Sequence, residues 1–314
     1  MSASRASTSW RRRFTHPVAG IAQRIVVVTD VDGALLEQGT RSRADVQEAV
    51  DFLTARGIPL VINSSRTRAE VERLHQRLQI RTAFISEYGG GLFLPHGRFP
   101  FVPQRARSAV GCDVIEFGRR YHEVVDALRL TCREMEVDVV GFAELSINEV
   151  ARELGVALME AQLAKLREYT ELFRIVDETD PTKSRLFKAL HRRGLRCWPA
   201  GRHHLVTATV DRGESLRMLR AIWKRAWGDP LIIGLGDSDD DAAWLRHVDI
   251  AIIVPSAQGG VPARLLSKLP TAHVTKSPGA RGWSEAIFEH VGRLLSSPER
   301  YRQAKTDTDG IDAV

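Results

Sequence analysis

Apolar positions along this chain follow two alternating rhythms. Residues 24–29 form a β-branched run that stops at Asp30-Val31-Asp32-Gly33. Val46, Ala49, Val50 and Leu53 then repeat at helical spacing, and Gly57 supplies a stop. Residues 58–62 are a second continuous apolar run, and Thr67 with Glu70 makes a capping box ahead of Val71, Leu74 and Leu78. Short strands are expected at 84–86 and 92–94, on either side of Gly89-Gly90-Gly91. Continuous apolar strands between amphipathic helices imply a parallel sheet covered on both faces.

The middle of the chain has a different pattern. Ser146 and Glu149 form a capping box for a helix that ends at Gly155. One long amphipathic helix is expected through Leu158, Ala161, Leu163, Leu166 and Tyr169, which would carry Arg167, Glu168 and Glu171 on a solvated face. Residues 172–176 read as a strand. Asp180 reads as an N-cap, with Pro181 opening a helix through Leu186 and Leu190. Strands follow at 195–198 and 204–208.

The strand–helix alternation then resumes, with a helix at 213–227, strands at 231–235 and 249–254, and a last helix at 284–295. The expected fold is α/β: a doubly wound, parallel-sheet, Rossmann-like core with an inserted α+β domain. The expected boundaries are a basic disordered tail over 1–23, core over 24–103 and 205–296, the insert over 104–204, and a flexible tail over 297–314.

Composition narrows the setting. The longest apolar runs are strand-sized, far short of the ~18 residues of a membrane span. Cys112, Cys132 and Cys197 are scattered and form no CxxC pair, which excludes a disulfide framework and fits a reducing cytoplasm. The 314 residues carry a net charge of +6, which by itself invites a nucleic-acid reading. That charge is concentrated, however. Arg5, Arg11, Arg12, Arg13 and Arg24 stand in the first 24 residues with no Lys, Asp or Glu, leaving +1 for the rest. The segment has no apolar period and no secretory core, so it reads as a disordered arm. An Arg-rich, acid-free start also fits a transit peptide; the untargeted tail is the preferred reading. Neither a nucleic acid nor a membrane is expected as a partner.

Two acidic clusters stand at the C-terminal ends of predicted parallel strands, where open α/β sheets bind ligands. One is Asp30-Val31-Asp32-Gly33 and the other Gly236-Asp237-Ser238-Asp239-Asp240-Asp241. Either alone could simply cap a helix. Carboxylates gathered at one sheet edge repel each other unless a hard cation sits among them, and Mg²⁺ suits few carboxylates, waters and a phosphate.

This pattern resembles the haloacid dehalogenase superfamily of phosphatases. The resemblance implies Asp30 as nucleophile, Asp32 as general acid/base, and Mg²⁺ held by Asp30, Asp32, Asp237 and Asp241. It implies Ser64, Ser65 and Arg66 at the phosphate and Arg212 as the cation beside the nucleophile, with Lys183 a fallback. The insert lies where a C2-type cap belongs. The strings Ser64-Ser65-Arg66-Thr67-Arg68-Ala69-Glu70-Val71, Phe84-Ile85-Ser86-Glu87-Tyr88-Gly89-Gly90, Leu166-Arg167-Glu168-Tyr169-Thr170-Glu171 and Gly279-Ala280-Arg281-Gly282-Trp283 resemble the mannosyl-3-phosphoglycerate phosphatases. That family implies a phosphorylated glycosyl-glycerate substrate, bound in part by Arg167 and Arg202. Ala34, Tyr88, Arg212 and Asp240 depart from its usual residues. A phosphatase for another sugar phosphate, such as sucrose phosphate, and a catalytically weak phosphosugar-binding protein are the alternatives. His203 and His204 read as structural or surface residues, and Trp283 as a core or cap-contact residue.

Overall fold

A computed structural model describes residues 24–36, 43–208, 212–256 and 260–297. The basic tail expected over 1–23, and the tail expected beyond 297, lie outside the described residues. The strands in chain order are β1 (Ile25–Thr29), β2 (Leu60–Asn63), β3 (Phe84–Ser86), β4 (Gly91–Pro95), β5 (Arg107–Ala109), β6 (Cys112–Glu116), β7 (Val139–Gly141), β8 (Thr170–Ile175), β9 (Arg196–Ala200), β10 (His203–Thr207), β11 (Leu231–Gly236), β12 (Ile250–Ile253) and β13 (His273–Val274).

Nine of these strands build the larger sheet, in the order β13-β12-β11-β1-β2-β3-β4-β6-β5. The run from β13 to β3 is parallel, and β4, β6 and β5 add on antiparallel. β1 is buried along its whole length because both of its faces are covered. Ile25 and Val27 enter one apolar core and Val26 and Val28 the other. The chain leaves β1 toward β2 and β3 and later returns on its other side as β11. β1 is therefore the switch point of the sheet, where a crevice opens at the C-terminal strand ends.

The smaller sheet is antiparallel, β7-β8-β10-β9. Helices Tyr121–Met135 and Asp180–Arg192 cover one face, around Val124, Leu128, Phe173, Leu186, Leu190 and Val206. Helices Ile147–Leu154 and Leu158–Ala164 close a satellite core of Phe142, Val150 and Ala161. This is the inserted cap. It is docked on the core, and the Thr67 hydroxyl donates to the Leu163 carbonyl at 2.9 Å. Among the described residues, no helix is long and apolar enough to cross a membrane.

Several local expectations need correcting. β5 and β6 lie in the span expected for the insert, yet they pair with the larger sheet. Cys112 and Val114 pack into one of its cores and Ile115 into the other, so their alternation is satisfied there. β10 carries the smaller sheet to Thr207, beyond the expected return at 204. The long helix through Tyr169 does not form. It ends after Ala164, and Arg167 and Glu168 lie in the following turn. Glu171 is a buried residue of β8 that accepts from the Tyr121 hydroxyl at 2.7 Å. The helix expected to start at Asp180 is capped one residue earlier, by Thr179. His203 and His204, read as structural or surface residues, take the structural place: both are buried, paired with Glu153 and Glu178.

Candidate active site

Three strand ends at the switch point carry the polar residues. Asp30 follows β1, and its amide donates to the Leu235 carbonyl of β11, which draws the Asp237 loop alongside it. The turn after Asp30 closes on Gly33, whose backbone is left-handed at φ 97°. A Cβ there would stand 2.0 Å from an Asp237 Oδ atom, so only glycine lets the two acidic loops come this close. Trp283 is fully buried beneath them and donates to the Thr29 hydroxyl at 2.9 Å.

Arg212 opens the helix Arg212–Trp227 and is buried in the middle of the cluster. Its Nη2 donates to Asp30 at 3.0 Å and to the Asn63 carbonyl at the end of β2 at 2.8 Å. Its Nη1 donates to Asp241 at 3.2 Å. One guanidinium thus ties all three strand ends together. Burial works against its charge, but Asp241 and Asp30 outweigh that and hold its pKa above the ordinary arginine value. The Asp30 carboxyl is pushed well up, first by burial and then by Asp241, with Arg212 opposing. Asp237 is raised to about 7, by burial first and then by Asp241 and Asp32.

Asp30, Asp237 and Asp241 offer oxygens that all lie within 4.8 Å of one another. Their hydrogen bonding separates their roles. Asp241 Oδ2 accepts from the amides of Asp237 and Ser238 and from the Ser238 hydroxyl, each at 3.0 Å. Its Oδ1 accepts from Arg212 and from Trp244 Nε1 at 2.9 Å. Asp241 is therefore saturated, and it organises the loop and Arg212. Asp237 Oδ1, by contrast, is buried without a partner among the described residues. An orphaned carboxylate oxygen within a set of hard oxygen donors fits a hard divalent cation.

Asp32 is not part of that trio. Arg66 Nε and Nη2 fork onto its two oxygens at 2.9 and 2.6 Å, a bidentate pair that fixes both side chains. Burial opposes the Arg66 charge, and the bond to Asp32 outweighs it, so its pKa is raised. Ser64 is fully buried, and its Oγ accepts from the Arg66 amide at 3.2 Å; Ser65 is half-buried on the same turn.

Arg167 and Arg202 do not join the acidic cluster. Arg167 donates to the Thr170 hydroxyl at 2.6 Å inside the cap, and Arg202 is exposed in the turn between β9 and β10. Lys183 pairs with Glu178 and Asp180 on the cap surface. Sequence reasoning missed the aromatic wall of the cleft. The Tyr88 ring stands 5.2 Å from the Arg212 guanidinium and makes an edge contact with Trp198 of the cap at 5.1 Å. It also missed Trp244, although a tryptophan three residues after Asp241 was a readable signal. Asn63 gave none, since its contribution is a backbone carbonyl.

Comparison with known proteins gives a consistent picture. A family model for haloacid dehalogenase-like hydrolases matches residues 27–98. A glucosyl-3-phosphoglycerate/mannosyl-3-phosphoglycerate phosphatase of Methanococcoides burtonii is 31% identical over 85% of this chain and 97% of its own length. A protein of the same description from Persephonella marina is 32% identical over 88% of this chain and 99% of its own length. Among solved structures, a haloacid dehalogenase-like hydrolase from Bacteroides thetaiotaomicron superposes with a TM-score of 0.62 at 16% identity, covering 84% of this chain and 98% of that one. A sugar phosphatase of haloacid dehalogenase subclass IIB superposes at 0.57 with 19% identity, covering 85% of this chain and 98% of that one. At these identities the solved structures speak for the fold.

Proposed function

Since the chain belongs to the haloacid dehalogenase-like hydrolases and is a phosphoric monoester hydrolase, we propose that its substrate is a glycosyl-3-phosphoglycerate, of the glucosyl or mannosyl type that its relatives are named for. The observation that carries this reading is the buried Asp30 carboxylate. It is held at 3.0 Å by Arg212 and stands in one cluster with an Asp237 oxygen that has no hydrogen-bond partner among the described residues.

Asp30 is the nucleophile. Its carboxylate attacks phosphorus while the bond from phosphorus to the glycerate oxygen breaks, leaving an aspartyl-phosphate. Arg212 keeps the attacking group oriented and supplies positive charge next to the phosphoryl oxygens. Asp32 in its protonated form gives its proton to the departing glycerate oxygen; the carboxylate left behind, the form that Arg66 holds, then takes a proton from the water that hydrolyses the aspartyl-phosphate. Phosphate leaves and Asp30 is restored. Ser64 and Ser65 stand at the phosphate, and Arg66 orients Asp32 while presenting a guanidinium to the substrate's anionic groups. Asp30 and Asp237 would hold Mg²⁺, with Asp241 organising the loop behind them; when bound, the cation offsets phosphate charge so that an anionic nucleophile can approach.

Closed over bound substrate, the cap excludes water from the reacting groups. Phosphate release measured over glucosyl- and mannosyl-3-phosphoglycerate, sucrose phosphate and common hexose phosphates tests the reading. The expected result is Mg²⁺-dependent release with the glycosyl-phosphoglycerates preferred, and a loss of roughly 10³-fold or more in Asp30→Asn. Full activity in Asp30→Asn would refute the mechanism, and preference for sucrose phosphate would refute the substrate.

A further inference from the structure

Glu87 is fully buried, and no part of the proposed chemistry uses it. It lies directly after β3 with its backbone in the left-handed region, φ 48°, and Tyr88 follows at 57°. Two consecutive residues with side chains in that region are unfavourable, so the surroundings must hold them there. The Glu87 carboxylate shows how. Its Oε1 accepts from the Glu168 amide at 2.8 Å. Its Oε2 accepts from the amides of Tyr169 and Thr170 at 2.9 and 2.8 Å and from the Thr170 hydroxyl at 2.7 Å. Three consecutive cap amides converge on one core side chain.

Those amides stand where the two connections between core and cap meet. The Tyr121 amide, at the start of the first cap helix, donates to the Glu168 carbonyl at 2.7 Å. Thr207, at the end of the last cap strand, donates to the Tyr169 carbonyl at 3.0 Å. On its other side, the Glu87 turn rests on the phosphate loop. The Glu87 amide donates to the Arg66 carbonyl at 3.1 Å and the Tyr88 amide to the Ser64 carbonyl at 3.3 Å. Tyr88 then carries the aromatic contact to Arg212 and Trp198.

We propose that Glu87 is a positioning residue: it fixes the node of both cap connections on the loop that carries Ser64 and Arg66, and so sets where the cap meets the glycosyl end of the substrate. Three of the four donors are backbone amides, so the grip depends on the cap's side chains only through the Thr170 hydroxyl. It also gives Arg167 a role through Thr170, whose hydroxyl Arg167 donates to while that hydroxyl donates to Glu87. The proposal rests on the substrate reading above, since a substrate that never reaches the cap would be indifferent to Glu87.

Glu87→Gln is the test, because it keeps size and shape while turning an amide NH₂ toward donors. With glucosyl-3-phosphoglycerate the expected result is a KM raised roughly 10-fold with kcat within about 3-fold; with p-nitrophenyl phosphate, which ends at the core, kcat/KM stays within about 3-fold. Thr170→Val, which removes one of the four donors, should show a smaller KM effect in the same direction. Hydrogen exchange gives an answer that needs no substrate. The amides of Tyr169 and Thr170 should exchange faster in Glu87→Gln, while those of β1 and β11 stay unchanged. Parallel losses on both substrates, or unchanged exchange at Tyr169 and Thr170, would overturn the proposal. Failure of the unaltered enzyme on every glycosyl-phosphoglycerate would overturn the substrate reading instead, and the exchange result would still decide whether Glu87 anchors the cap.

Discussion

Arg212 shows what a single residue contributes here. Its guanidinium satisfies Asp30, Asp241 and the Asn63 carbonyl in three directions from a buried position. A lysine ammonium is a point charge on a flexible stem and lacks that fixed fork. Arg212→Lys is therefore expected to keep part of the activity. Arg212→Met leaves buried carboxylates without their counter-charge, which costs about 3–5 kcal/mol when a buried pair is broken. Urea unfolding should register that loss, and kcat should fall roughly 10²-fold or more. Resemblance alone could nominate Arg212 as the cation. Its partner in Asn63 was illegible, because a backbone carbonyl leaves no trace in residue identity. Asp32 was legible as an acidic residue beside the nucleophile, but its bidentate lock on Arg66 depends on a partner 34 positions further along the chain folding back.

At the scale of elements, the two acidic loops and the strands beneath them were read in nearly their observed positions. Continuous apolar runs admit few alternatives once both faces are covered. What brings the loops together is Gly33. Gly33→Ala would place a Cβ against Asp237 and force a left-handed backbone on a residue that disfavours it, at a cost of about 1–2 kcal/mol. Chemical denaturation should show that loss. Phosphatase assays should show a fall in kcat/KM of more than about 10-fold, because Asp237 is displaced from Asp30. The helix expected through Tyr169 failed for the opposite reason. Its apolar spacing was sound, yet the amides that would have continued it are drawn to Glu87, and Tyr169 packs against Gly90 and Gly91 of the core. Local periodicity carries no information about a carboxylate more than 80 residues earlier.

For the whole molecule, the acidic cluster links metal, proton and stability. The Asp237 carboxyl lies near 7 in the fold against 3.8 for the free group. Between those values the folded chain keeps a proton that the unfolded chain has lost, so metal-free stability falls as pH rises through that window. A divalent cation competes for the same oxygens and reverses the trend at the upper end. Thermal melts should therefore show a larger rise in Tm on adding Mg²⁺ near pH 8 than near pH 5.5, approaching about 2.7 kcal/mol of stabilisation at a hundredfold excess over Kd. Equal rises at both pH values would mean that the cation and the Asp237 proton do not compete. The same scale decides the cap. Its helices, capping boxes and antiparallel strands were largely visible, but its borders were not, because β5 and β6 satisfy their alternation on the core sheet.

The chain's own order of residues determined the α/β class, the two acidic strand ends and the family they belong to. The class and the strand ends rest on short-range spacing, which a sequence records directly, and the family on the resemblance of short strings of residues. Tertiary structure alone decided that Asp241 is saturated while an Asp237 oxygen has no partner among the described residues, that Arg66 locks Asp32, and that Glu87 grips the cap. Each of those depends on which donors reach a buried oxygen, and the donors come from distant parts of the chain.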